Sequence, residues 1–164
     1  MSVASKILVS ACLLGRPVRY DGKASRGHAL LERLQADGRV VSVCPEVSGG
    51  LAVPRPAAEI VGGDGLDVLS GRARVMTADT IDVTQAFLDG AHHALALAKS
   101  QNVVAVVLKA RSPSCGSLQI YDGSHSGTLV DGLGITAALL RREGFLVYSD
   151  DDLDDLTLED FDAL

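Results

Sequence analysis

The sequence predicts an α/β fold: a mainly parallel sheet with helices on both faces, in a three-layer Rossmann-like or flavodoxin-like arrangement, with a short β-hairpin insertion. Two observations carry this. Short β-branched apolar runs alternate with longer stretches of helical period, and glycines fall where the helical stretches stop. Strands separated by helices pair in parallel, and the right-handed crossovers between them place helices on the sheet faces. A chain of 164 residues suits one domain with a buried core and is short for two. Residues 1–149 are read as that single α/β domain and 150–164 as an acidic C-terminal tail.

Lys6 to Ala11 is the first strand, apolar enough to be buried on both faces, with Cys12 at its carboxyl end. A Gly-containing loop from Gly15 to Gly27 leads to a helix over His28 to Asp37, where Ala29, Leu30, Leu31 and Leu34 recur at helical spacing and Gly38 ends it. Arg39 to Val43 is the second strand, and Cys44 again follows directly. Pro45 to Pro56 holds three prolines and two glycines, which predicts an irregular loop. Asp67 to Leu69 and Arg72 to Met76, joined by Ser70-Gly71, predict the hairpin. Gly62-Gly63-Asp64-Gly65, placed before a hairpin, reads as a turn and not as a phosphate loop, which requires a following helix. Thr80 to Gln101 is a long amphipathic helix, with Val83, Phe87, Ala91, Ala94, Leu95 and Ala98 near a 3.6 period. Val103 to Leu108 is the most apolar strand, and the loop Lys109 to Gly116 leaving it carries Cys115. Gly132 to Arg142 is a further helix closed by Gly144, and Phe145 to Tyr148 a last strand.

Composition narrows the function classes. The net charge is −6, but residues 150–164 hold eight acids and no Lys or Arg. Residues 1–149 therefore carry 15 cations against 13 acids, a net of +2. A nearly neutral body lacks the clustered cations that a phosphate backbone requires, so no nucleic-acid partner is expected. Hydrophobic residues make up 47% of the chain without a run near the roughly 18 residues of a membrane span. Met1 to Lys6 leads directly into a strand-like run, unlike a signal peptide. The expectation is a soluble, cytoplasmic protein acting on a small molecule, with a solvated, partly frayed acidic terminus. The oligomeric state is not legible.

Three cysteines, an odd number, speak against a disulfide framework in that setting and leave core packing, a reactive thiol or metal ligation. Cys12, Cys44 and Cys115 all fall at or just beyond the carboxyl ends of predicted parallel strands, the edge at which open α/β sheets bind ligands. That shared edge favours ligation. The residues alone leave a three-thiolate zinc site open beside an iron-sulfur cluster.

Three stretches surround the cysteines. They are Ser10-Ala11-Cys12-Leu13-Leu14-Gly15, continuing to Val18-Arg19-Tyr20-Asp21-Gly22; Cys44-Pro45-Glu46-Val47-Ser48-Gly49-Gly50-Leu51, continuing to Pro54-Arg55; and Lys109-Ala110-Arg111-Ser112-Pro113-Ser114-Cys115-Gly116. Together they resemble the thiouracil desulfidase family and the related bacterial domain-of-unknown-function family 523, over roughly residues 6–148. The resemblance implies an α/β domain that binds a 4Fe-4S cluster through Cys12, Cys44 and Cys115, leaving one iron without a protein ligand. It implies catalytic roles for Glu46 and Ser112, and a thiolated pyrimidine such as 2-thiouracil as substrate. The reaction would release sulfide without net redox change.

Soft thiolates suit such a cluster. Gly15, Gly49, Gly50 and Gly116 are expected to let backbone amides approach it, while Lys109 and Arg111 offset its charge. Competing readings are a cluster-dependent dehydratase, favoured by a cation-rich pocket, and a non-catalytic iron-sulfur or zinc protein. Glu46 is alternatively a loop carboxylate paired with Arg55 or Arg19, and Ser112 and Ser114 alternatively shape a turn. His92 and His93 are adjacent on one helix and face different directions, so they form no i, i+4 metal pair. His28 and His125 carry no assigned role.

Overall fold

The computed structural model describes residues 4–164; the N-terminal Met1 to Val3, part of the segment read above as unlike a signal peptide, lies outside them. In chain order the elements are β1 (Ile7–Ser10), α1 (Ala29–Ala36), β2 (Val40–Val43), α2 (Pro45–Ser48), β3 (Ala58–Val61), α3 (Gly65–Leu69) and β4 (Arg74–Thr77). They continue with α4 (Thr84–Ser100), β5 (Ala105–Leu108), β6 (Gln119–Tyr121), β7 (Leu129–Asp131), α5 (Ile135–Arg142), β8 (Leu146–Ser149) and α6 (Leu158–Asp162). Among the described residues no helix is long and apolar enough to cross a membrane.

The main sheet has the order β2-β1-β5-β8 and every pairing in it is parallel, with Ile7 opposite both Val40 and Ala105, and Ala105 opposite Leu146. Alternate side chains of its central strands serve opposite faces, as the pleat requires. Ile7, Val9, Ala105 and Val107 pack with Leu31 and Leu34 of α1, whereas Leu8, Val106 and Leu108 pack with Ala94 and Ala98 of α4 and Ala137 and Leu140 of α5. The result is the three-layer α/β arrangement that the sequence predicts.

Two small antiparallel sheets, β3-β4 and β6-β7, extend the domain beyond the main sheet. Ile60, Val75 and Ile120 from these strands join Phe87 and Ala91 of α4 and Ile135 and Leu139 of α5 in a third apolar cluster.

Several expected elements differ. The hairpin pairs Ala58–Val61 with Arg74–Thr77, whereas Asp67 to Leu69 belongs to α3. Asp64 is responsible: its side chain accepts from the Leu66 amide at 3.0 Å, and Asp67 answers by accepting from the Asp64 amide at 2.9 Å, a reciprocal cap that starts a helix. A helix therefore does follow Gly62-Gly63-Asp64-Gly65, but it is a five-residue turn of helix. The Pro45–Pro56 loop begins with α2, for which Pro45 at the first helical position is well suited.

The terminal segment is the largest correction. Residues 150–164 do not fray into solvent: Leu153 and Phe161 are buried and join the α1 side of the core. Phe161 meets Tyr148 edge-on at 5.8 Å between ring centroids. Arg39, itself buried, donates to Asp162 at 2.6 Å and to the Ser5 carbonyl at 2.8 Å.

Replacing Phe161 with Ala should therefore lower stability by about 3–5 kcal/mol, the range for a buried aromatic truncated to a cavity. Urea unfolding of the variant measures it. A loss under about 0.5 kcal/mol, normal for an exposed site, would contradict this packing.

Candidate metal centre

Cys12 lies in a 3₁₀ turn, Ala11–Leu14, that continues β1 and ends at Gly15, whose φ of 87° is left-handed. Cys44 follows β2 and is the N-cap residue of α2. Cys115 closes a turn after β5 in which the Ser112 hydroxyl accepts from the Cys115 amide at 2.7 Å and the Ser112 carbonyl accepts from the Gly116 amide at 2.9 Å. The amino end of α5 holds this turn from behind. Ile135 donates to the Pro113 carbonyl at 2.9 Å and Thr136 to the Ser114 carbonyl at 2.8 Å, so orphan helix donors and loop acceptors satisfy one another.

The α2 turn is held by contact with α4. A Cβ on Gly49 would meet the Ala86 carbonyl oxygen at 1.9 Å, and one on Gly90 would meet the Pro45 carbonyl oxygen at 1.8 Å. Only glycines permit this approach. Gly49 thus serves helix packing, and Gly15 and Gly50 provide left-handed turns.

All three cysteines line one cavity of about 500 Å³, and Glu46 and Ser112 line it with them. Cys12 and Cys115 are buried and Cys44 is half-buried. Burial pushes the Cys115 thiol up to about 12, against the pull of hydroxyls from Ser10 and Ser114, each 3.5 Å from its sulfur. Burial also raises the Cys12 pKa, opposed by the nearby Ser25 hydroxyl and the Lys109 charge. The Ser25 hydroxyl, though close enough to favour the Cys12 thiolate, is buried without a hydrogen bond of normal geometry.

Three soft donors on one cavity, with hydroxyls beside the Cys115 sulfur and a buried, unpartnered Ser25 hydroxyl beside Cys12, fit an anionic iron-sulfur group. The fit to a single ion is poorer. Three thiolates on one zinc stand roughly 3.8 Å apart, from a Zn–S bond of about 2.3 Å in tetrahedral geometry. Among the described residues no three His, Cys, Asp or Glu side chains form such a set.

Glu46 sits on α2 with a side chain 15% exposed, and both its oxygens are engaged. Oε1 accepts from Arg55 Nε at 3.0 Å and Oε2 accepts from the Ser114 hydroxyl at 3.0 Å. The pairing with Arg55 weighed above thus exists and coexists with a place on the cavity wall; Arg19 pairs instead with Asp21, at 3.8 Å. Ser114 is the residue that sequence reasoning passed over: it is buried, with its hydroxyl 3.1 Å from that of Ser112. Its signal was the repeated serine in Ser-Pro-Ser, but nothing in the sequence ranks one hydroxyl above the other.

Lys109 and Arg111 line the cavity, yet each pairs with the terminal segment, Lys109 with Asp150 at 3.6 Å and Arg111 with Asp151 at 2.7 Å. His28, His92 and His93 lie outside the lining. His125 also lies outside it, with its Nδ1 3.5 Å from Glu59 Oε2, and Glu59 itself lines the far wall.

Comparison with known proteins identifies the family. The model of the 2-thiouracil desulfurase family matches residues 7–152. The chain belongs to that family. An uncharacterised Bacillus subtilis protein, YbbK, is 46% identical over 153 residues, covering 92% of this chain and 99% of its own. A solved structure of the [4Fe-4S]-dependent thiouracil desulfidase TudS superposes with a TM-score of 0.83 at 46% identity, covering 94% of this chain and 97% of that one. The cysteine cavity of this chain lies wholly within the residues that the family model matches.

Two outcomes follow. Gly90→Ala should displace α2 and destabilise the fold by about 1–3 kcal/mol, as overpacking does, with reduced iron incorporation per folded chain measured beside urea unfolding. The second concerns Cys115 in the cluster-free protein, where the native thiol keeps its proton to about pH 12 while an ordinary thiol loses it near 9.0. Between these values the native state binds more protons than the unfolded state. Stability is then complete below about pH 9 and falls as pH rises, by up to about 1.4 kcal/mol per unit. Urea unfolding at about pH 8 and about pH 10 reads this slope, and Cys115→Ala should reduce it, the buried Cys12 thiol supplying what remains.

Proposed function

We propose that the protein is an iron-sulfur-dependent desulfidase that converts a thiolated nucleobase of the 2-thiouracil type to its oxo form. One water is consumed, C=S becomes C=O, and hydrogen sulfide leaves, with no net oxidation or reduction. The observation that carries this reading is the convergence of three thiols, the Glu46 carboxylate and the Ser112 hydroxyl on one cavity, within the family-matched region.

A 4Fe-4S cluster held by Cys12, Cys44 and Cys115 would supply Lewis acidity at an iron that three protein thiolates leave without a fourth. The chain's own groups handle water and protons. Glu46, fixed by Arg55 and Ser114, takes a proton from the water that attacks the thiocarbonyl carbon and returns it to the departing sulfur. Ser112 faces the same cavity and holds the substrate or its water by hydrogen bonding.

Specific features favour this over the competing classes. A dehydratase pocket would need free cations for a carboxylate substrate, whereas Arg55, Lys109 and Arg111 are each paired with an acid. A carrier would expose its metal, whereas two of the three thiols here are buried.

The test is anaerobic reconstitution followed by sulfide release from 2-thiouracil, with Glu46→Gln beside the wild type. Glu46→Gln should keep its iron, its acid-labile sulfide and its visible absorption while kcat falls about 10²–10⁴-fold. A variant that loses its iron would remove the catalytic assignment of Glu46. A fully loaded wild type that releases no sulfide from any thiolated nucleobase would sink the reaction.

A further inference from the structure

The Ser114 hydroxyl lies between Glu46 and Ser112, within hydrogen-bond reach of both. Glu46 Oε1 accepts from Arg55 Nε at 3.0 Å in an ion pair, and its Oε2 lies 3.0 Å from the Ser114 hydroxyl. A carboxylate oxygen can only accept, so Ser114 must donate there. A serine has one proton, and the Cys115 sulfur, 3.5 Å from the Ser114 hydroxyl, is a longer and weaker acceptor for it than the carboxylate. Having donated it to Glu46, Ser114 must be the acceptor in its 3.1 Å contact with Ser112. Ser112 in turn gives its own proton to Ser114, and one of its lone pairs already accepts from the Cys115 amide at 2.7 Å. What remains on Ser112 is a single lone pair, and Ser112 lines the cavity.

We propose that Ser114 is a positioning residue that sets the direction of this chain, so that Ser112 meets the substrate as a hydrogen-bond acceptor and selects thiolated bases that carry an N–H beside the C=S carbon. The inference rests on the desulfidase reading and names the feature of the substrate that the site recognises. Reversal of the chain is opposed at both ends. If Ser114 donated to Ser112, Glu46 Oε2 would face oxygen lone pairs at 3.0 Å, a repulsive contact in a buried setting. Ser114 is 1% exposed, so water does not compete for its proton. It acts through Ser112 and does not recognise the substrate itself.

Removing the Ser114 hydroxyl leaves the Ser112 oxygen anchored by the Cys115 amide but frees its proton to turn toward the cavity. Ser112 then becomes a donor, and the preference for N–H substrates goes with it. A site built to pair an N–H discriminates strongly against an analogue that lacks it, because its acceptor is then left buried and unpaired.

The experiment compares 2-thiouracil with 1,3-dimethyl-2-thiouracil on wild type and Ser114→Ala, both reconstituted and matched for iron content. Neutron diffraction on the loaded wild type locates the Ser112 hydroxyl proton independently of turnover. The expected result is a wild-type preference of at least about tenfold in kcat/KM for the N–H compound, falling to about threefold or less in Ser114→Ala, consistent with one lost pairing. The Ser112 proton is expected to point at Ser114. An unchanged preference in Ser114→Ala, or a Ser112 proton pointing into the cavity in the wild type, overturns the inference. Absence of sulfide release from either compound by the wild type would instead defeat the desulfidase reading, with the proton position still deciding the direction of the chain.

Discussion

Because β1 is hydrogen-bonded in parallel to β2 on one side and to β5 on the other, the loops leaving these three strands emerge side by side at one edge of the sheet. The chain passes from β1 to β2 in one direction and later returns past β1 to β5 in the other, so strand order reverses at β1. A crevice opens at such a reversal in any doubly wound sheet. Here each of the three loops brings a cysteine to it. A one-residue register shift would turn Leu8 and Val106 toward the opposite layer, so burial of the sheet on both faces also fixes where the cysteines emerge.

Placing so much latent negative charge at one buried edge requires compensation. Without metal, burial keeps the Cys12 and Cys115 thiols protonated at neutral pH, so a cluster held by them would expel protons on loading. The hydroxyls of Ser10 beside Cys115 and of Ser25 beside Cys12 favour the thiolate form without adding charge. Glu46 has a nearly buried Arg55 as its partner, whose side chain is 6% exposed. A buried ion pair contributes little net stability against its desolvation. Its value here is positional: it holds a carboxylate on the cavity wall in one orientation.

The main sheet was legible because its strands are short β-branched runs buried on both faces, and the cysteine positions followed from the strand ends. The ligand and catalytic candidates could be named from motif likeness, which converges on residues that topology brings together. The hairpin was misassigned for a local reason: Asp67-Val68-Leu69 reads as a strand by composition, but the reciprocal Asp64–Asp67 cap overrides it. Composition misled at the terminus as well. Eight acids in 150–164 suggest solvation, while Leu153 and Phe161, too few to look like a core-forming run, find buried places only because the sheet face beneath them is apolar. The strands β6 and β7 are three residues each and gave no periodic signal. Ser114 could be named from the sequence only as a second serine beside Ser112, because its importance lies in a partner contributed by α2, 68 residues away.

The terminus also changes how charge balance in this chain should be read. The eight acids of residues 150–164 are not simply a solvated surplus set against a body of +2, since three of them neutralise cations of that body: Asp162 at Arg39, Asp150 at Lys109 and Asp151 at Arg111. Two of those cations flank the third cysteine loop. Asp150 additionally accepts from the Ala110 amide at 2.6 Å, so it fixes the backbone of that loop as well as the lysine beside it. Arg111 holds a left-handed φ of 66°, unfavourable for a non-glycine residue and supported here by its ion pair and by bridging to Ile120. The acidic segment is thus part of the wall that shapes the loop carrying Ser112, Ser114 and Cys115. Its charge lowers the local positive potential that would draw anionic ligands into the cavity, and leaves a site better matched to a neutral thiolated base than to a phosphorylated one.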